Sequence, residues 1–121
     1  MKETEQEHEI KSLVWVGSSH EDLTEFPPEV QHEMGYALYV AQEGEKHPKA
    51  KPLKRFSGVM EIRSSYLTNT YRAVYTTKIG DAIYVLHAFQ KKSKRGIQTP
   101  QKEIALIKRR LKIAQNLAEG K

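Results

Sequence analysis

The chain has 121 residues, 38% of them apolar and 29% charged, with a formal net charge of +5 and no cysteine. That length supports one domain with a modest core, and no apolar run approaches the roughly 18 residues of a membrane span. The missing cysteines exclude disulfides and thiolate metal sites and fit a reducing cytoplasm.

The net charge conceals an asymmetry. Residues 1–47 hold three Lys/Arg against eleven Asp/Glu, whereas residues 48–121 hold seventeen against four. A block this basic points to a polyanionic partner, because neutralising phosphates and releasing their counterions drives much nucleic-acid binding. The plainer alternative is a solvated basic face on an ordinary domain.

The opening "MKETEQEHEI" is acidic, with no cationic start and no apolar core, so it reads as a frayed tail over residues 1–11 and not as a secretory signal. A single domain is expected over residues 12–118. "SLVWVG" (12–17) is a short apolar run ended by glycine, as in a buried strand. Ser19, three residues before Asp22, has capping-box spacing and starts a short helix at "HEDLTEF". "FPPEV" breaks it and opens another, since proline suits a first helical turn. Val30, Met34, Ala37, Leu38 and Ala41 recur at helical spacing and define an amphipathic helix over about 28–44, stopped by Gly44. "EKHPKAKPLKRFSG" (45–58) is proline-interrupted and basic, and reads as a connecting loop.

Three strands follow. "VMEIRS" (59–64) alternates, with Met60 and Ile62 on one face and Glu61 and Arg63 on the other. "TYRAVYTTK" (70–78) is β-branched and aromatic and ends in a compact turn at Ile79-Gly80-Asp81. "AIYVLHAFQ" (82–90) is apolar on both faces, as a central strand is. Thr99-Pro100 caps a last helix over about 100–118, with Ile104, Ile107, Leu111 and Ala114 as its core stripe and Lys108, Arg109, Arg110 and Lys112 mainly outside it. The predicted order is β-α-α-β-β-β-α: a small α+β domain with helices packed on an antiparallel sheet.

Polar residues within these strands carry the chemistry. Glu61, Arg63, Arg72 and the strand-ending Lys91 and Lys92 converge on one surface if the strands are neighbours. Such a surface binds phosphate. A cross-strand Arg–Glu pair that merely stabilises the sheet is the competing account. Cleaving RNA needs a base for the 2′-hydroxyl, cations for the pentavalent phosphate and an acid for the leaving oxygen. Glu61 is the candidate base, Arg72 and Arg63 the phosphate clamp, and Lys92 a charge stabiliser or proton donor. His87 is a second candidate acid, since imidazole titrates near neutrality. By strict alternation, however, it falls with Ile83, Val85 and Phe89, which favours a satisfied core histidine. Lys54, Arg55, Lys91, Lys94 and Arg95 are candidate RNA contacts. Phe89, Tyr66 and Tyr71 are aromatic residues able to stack on unpaired bases. Five histidines without ligand spacing give no metal site, and no cofactor is expected.

"GVMEIRSSYLTNTYRAVY", "IYVLHAFQKKSK" and "TPQKEIALIKRRL" resemble the phage-related, HigB-type branch of the RelE/ParE toxin superfamily, and "VWVGSSHEDLTEFP" resembles its opening. The likeness covers about residues 12–117. It implies a RelE-like fold and a cytoplasmic toxin of a type II toxin–antitoxin pair. Such toxins cleave messenger RNA in the ribosomal A site without a metal, and a small antitoxin, often a helix-turn-helix protein, neutralises them. By position, Arg72 of "TYRAVY" matches the arginine that RelE-like toxins place at the scissile phosphate. Lys92, with Lys91 beside it, falls where RelE has a second functional arginine, and Arg63 matches another basic residue of that face. Val59 and Glu61 stand where RelE has lysines, and the last helix has no tyrosine for base stacking. The superfamily also holds ParE-type gyrase inhibitors without nuclease activity. A basic nucleic-acid-binding protein without catalysis is a third class.

Overall fold

The computed structural model describes residues 10–91 and 99–120. The elements are β1 (Ser12–Trp15), α1 (Ser19–Thr24), α2 (Pro28–Gln42), β2 (Ala50–Pro52), β3 (Val59–Tyr66), β4 (Asn69–Thr76), β5 (Ala82–Lys91) and α3 (Gln101–Ala118). They form one five-stranded sheet in the order β1-β5-β4-β3-β2.

The sheet departs from the sequence expectation in two respects. Ala50–Pro52 pairs antiparallel with β3, placing Lys51 opposite Glu61, so the basic loop contains a strand. Its proline sits on the sheet edge, where a missing amide donor leaves no ladder bond unmade. The sheet is also mixed and not wholly antiparallel, because β1 runs parallel to β5, with Ser12 opposite Ala82 and Trp15 opposite Val85. The two strands are about seventy residues apart, and nothing in a local apolar run encodes the direction of so distant a partner.

The sheet is covered on both faces. Val30, Met34, Ala37, Leu38 and Ala41 of α2 are all buried against Ile62, Tyr71, Ala73, Tyr75, Ile83 and Val85. Ile107 and Ala114 of α3 are buried against Val59, Val74, Tyr84, Leu86 and Phe89 on the other side. Each fully buried aliphatic side chain contributes roughly 1.5–3 kcal/mol, so these two layers hold the fold. No helix among the described residues is long and apolar enough to cross a membrane.

Helix caps differ in detail from the sequence expectation. Ser18, not Ser19, is the N-cap of α1, and its hydroxyl donates to Asp22 Oδ2 at 2.8 Å. Ser19 is buried and donates instead to the Val85 carbonyl at 3.1 Å. Pro100 is the N-cap of α3, and the Thr99 hydroxyl turns to Arg72.

Arg110, expected mainly outside the core, points inward. Its Nη1 donates to the Leu86 carbonyl at 3.0 Å and its Nη2 to Ser18 Oγ at 3.1 Å, tying α3 to β5 and to the start of α1. Gly17 makes room for it. The residue sits at φ +59°, and an added Cβ would lie 2.7 Å from the Arg110 guanidinium. Gly17→Ala is therefore expected to lose about 1–3 kcal/mol from the backbone conformation alone, plus the displaced Arg110 bonds. A thermal midpoint lowered by roughly 5–10 °C, measured by calorimetry, is the expected result. An unchanged midpoint would remove Arg110 from the account of α3 packing.

Candidate anion-binding face

The register of the three central strands sets the site. Arg63 lies directly opposite Arg72 in the β3–β4 ladder, and Arg72 lies opposite Phe89 in the β4–β5 ladder. All three share the face covered by α3. Two like charges across a ladder are destabilising by themselves, so this pairing needs a third group.

Glu61 is that group. Its Oε2 accepts from Arg72 Nη1 at 2.9 Å and its Oε1 from Arg63 Nε at 3.2 Å. The side chains of Glu61 and Arg72 are 5% and 3% exposed, while that of Arg63 is 44% exposed. Burial on this scale makes each ion pair depend on the other, since a buried charge that loses its partner is strongly unfavourable. Arg72 Nη1 also donates to Thr99 Oγ1 at 3.4 Å, which brings the segment before α3 onto the face.

Lys91 ends β5 opposite Thr70 and is buried. Burial, then the Arg72 and Arg63 guanidinium groups, hold its ammonium below the ordinary lysine value, and Glu61 opposes them. Arg63, Arg72 and Lys91 thus gather around Glu61 on this face. Lys51, exposed on β2 and opposite Glu61 in register, borders the same face.

His87 is where strict alternation fails. Val74 pairs with His87 and Tyr75 with Val85, so Leu86 has no partner in β4. This bulge sets Leu86 and His87 on the same side, and the Leu86 carbonyl takes its hydrogen bond from Arg110. His87 thus leaves the face of Ile83 and Val85 and joins that of Arg72. It is 5% exposed; its Nε2 lies 2.6 Å from Glu103 Oε1 in the first turn of α3, and its ring stacks on Phe89 at 4.7 Å. The Nδ1 is buried with no hydrogen-bond partner among the described residues.

The structure brings together Glu61, Arg63, Arg72, His87, Phe89 and Lys91. Phe89 is buried, with its ring held by His87. Tyr71 packs on Phe26 on the opposite face, and Tyr66 leans on that same cluster. Lys54 and Arg55 are exposed but sit beside the start of β3, where the Leu53 amide bonds Val59, and so stand apart from Arg63 and Arg72 farther along the strand. Lys92, Lys94 and Arg95 lie outside the described residues. Lys51 and Glu103 join the site without having been singled out in the sequence. For Glu103 a signal existed, because an acidic residue in a first helical turn just after a basic strand end is placed to reach back to that strand. Among the described residues no group of three or more His, Asp or Glu is placed to hold a metal ion.

Fold and face define a small basic α+β domain that gathers arginine, lysine and one carboxylate on a single side of its sheet. Residues 21–112 match the model of the phage derived protein Gp49-like family (DUF891). The chain belongs to that family, a phage-derived, toxin-like family of toxin–antitoxin systems. No curated protein matches the chain.

Proposed function

We propose that this protein is the toxin of a type II toxin–antitoxin pair, of the HigB-type branch of the RelE/ParE superfamily, and that it inhibits translation by cutting messenger RNA on the ribosome. The observation that carries this reading is the Arg72–Glu61–Arg63 bridge with Lys91 beside it, a gathering of cations that suits a phosphate. Family membership supports the toxin assignment and an antitoxin partner.

The reaction is a transphosphorylation within RNA. The 2′-oxygen loses its proton and bonds to phosphorus, the bond from phosphorus to the 5′-oxygen breaks, and that oxygen takes a proton. The products are a 2′,3′-cyclic phosphate and a 5′-hydroxyl. Arg72 and Arg63 bond the non-bridging oxygens as charge accumulates on them, which a guanidinium does with two parallel donors. Lys91 and, by the sequence likeness, Lys92 add positive charge at the strand end. Glu61 and the His87 imidazole, which lies 2.6 Å from Glu103, stand on the same face. No metal takes part.

Expression of the chain alone is expected to arrest bacterial growth within a few doublings, and co-expression of the cognate antitoxin, a small helix-turn-helix protein in this reading, to relieve it. Growth curves with immunodetection of soluble protein check this. Normal growth at high levels of folded protein would contradict the toxin assignment, and arrest with intact messages and inhibited gyrase would move it to the ParE type.

A further inference from the structure

We infer that Glu61 is the resident counter-anion of the arginine face, displaced by the substrate phosphate, and is not the proton acceptor of the reaction. The inference rests on the phosphate-binding reading of the face given above. Arg63 and Arg72 stand opposite each other in register, and one anion spans them by giving one oxygen to each, at 3.2 and 2.9 Å. Two non-bridging oxygens of a phosphodiester make the same demand on two guanidinium groups. Glu61 therefore occupies the place of a phosphate and keeps both arginines aligned for one.

Proton uptake is the wrong task for a carboxylate held this way. Both of its oxygens already accept from an arginine. Without Glu61 one competing anion is gone, so a ground-state phosphate binds more tightly, which by itself does not help the chemical step. Of the described face, Lys91, its ammonium held below the ordinary lysine value by burial and then by the Arg72 and Arg63 guanidinium groups, remains as a candidate for proton exchange.

Glu61→Gln separates the two roles. As counter-anion, its loss tightens binding of inorganic phosphate about tenfold, read from the phosphate dependence of the thermal midpoint. Single-turnover cleavage on saturating ribosomes then falls by less than tenfold. As general base, its loss lowers that rate by roughly 10²–10⁴ and leaves phosphate binding unchanged. That second pattern would overturn the inference, as would equal phosphate-induced shifts in both proteins. If the variant does not fold, the wild-type protein decides. In ¹⁵N spectra of arginine side chains, phosphate is expected to move the Arg63 and Arg72 guanidinium signals together and saturably, and unmoved signals would overturn the inference. The phosphate measurements need no nuclease activity, so a protein that binds phosphate in this way but cuts no message would refute the nuclease reading and leave the counter-anion role standing.

Discussion

Arg72→Ala is expected to lower single-turnover cleavage at least a hundredfold and to abolish toxicity, while ribosome binding is largely retained. Losing a preorganised donor at a developing oxyanion typically raises the barrier by roughly 3 kcal/mol, and Arg72 is the more deeply buried of the two clamp arginines, at 3% against 44% exposure. Its burial also makes it structural. Removing it leaves Glu61 bonded to Arg63 alone, and an under-compensated buried charge destabilises a fold by up to about 3–5 kcal/mol. Arg72→Lys keeps the charge and loses the planar fork, so it should stay folded and still cut at least tenfold more slowly. A contrast comes from Lys94→Ala combined with Arg95→Ala, in the basic segment after β5. Those cations are expected to make salt-sensitive contacts to phosphates, so their loss should weaken binding, with the rate at saturation nearly preserved. A folded Arg72→Ala protein that cuts at the normal rate would take Arg72 out of the mechanism.

Cleavage of translated messages should exceed cleavage of free RNA by about a thousandfold or more. The described face supplies charge in abundance, but its acid–base groups are engaged: Glu61 by two arginines and His87 by Glu103. Phe89 beside Arg72 is buried as well, so among the described residues of this site no exposed aromatic ring grips a base and turns its 2′-hydroxyl in line with the phosphorus. Holding reactants in line is worth effective concentrations of about 10⁵ M and above, and in this account the ribosome provides that alignment. Incubating one labelled message with the protein, in the presence and absence of initiated ribosomes, checks it. Efficient cutting of protein-free RNA at the same positions would show that the chain positions its own substrate.

Much of this was legible in the sequence because period and burial agree. The α2 stripe of Val30, Met34, Ala37, Leu38 and Ala41 is buried as its spacing predicts, and Glu61, Arg63 and Arg72 share a face as alternation demands. Alternation failed at His87 because a bulge adds one residue to β5, and a single extra residue reverses every face assignment on one side of it. No local signal marks that position, since Leu86 and His87 are read equally well in either phase. The strand Ala50–Pro52 went unseen because three residues in a run of prolines and lysines carry no period, and its pairing depends on β3 being there first. Lys51 was missed with it. Arg110 falls mainly outside the core stripe by its position on the wheel, yet Gly17 opens a space into which its long side chain extends. Thr99 looked like a helix cap, and its hydroxyl was instead taken by the buried Arg72.

The chemistry of the cut ends separates a ribosome-dependent nuclease from a toxin that only binds. Purified protein would be added to ribosomes translating a message labelled at either end, and the new termini identified. Cuts are expected within the codon occupying the A site, ending in 2′,3′-cyclic phosphate and 5′-hydroxyl, and are expected to be absent with Arg72→Lys at short times. Intact message under conditions where the same preparation stops growth would contradict the nuclease reading.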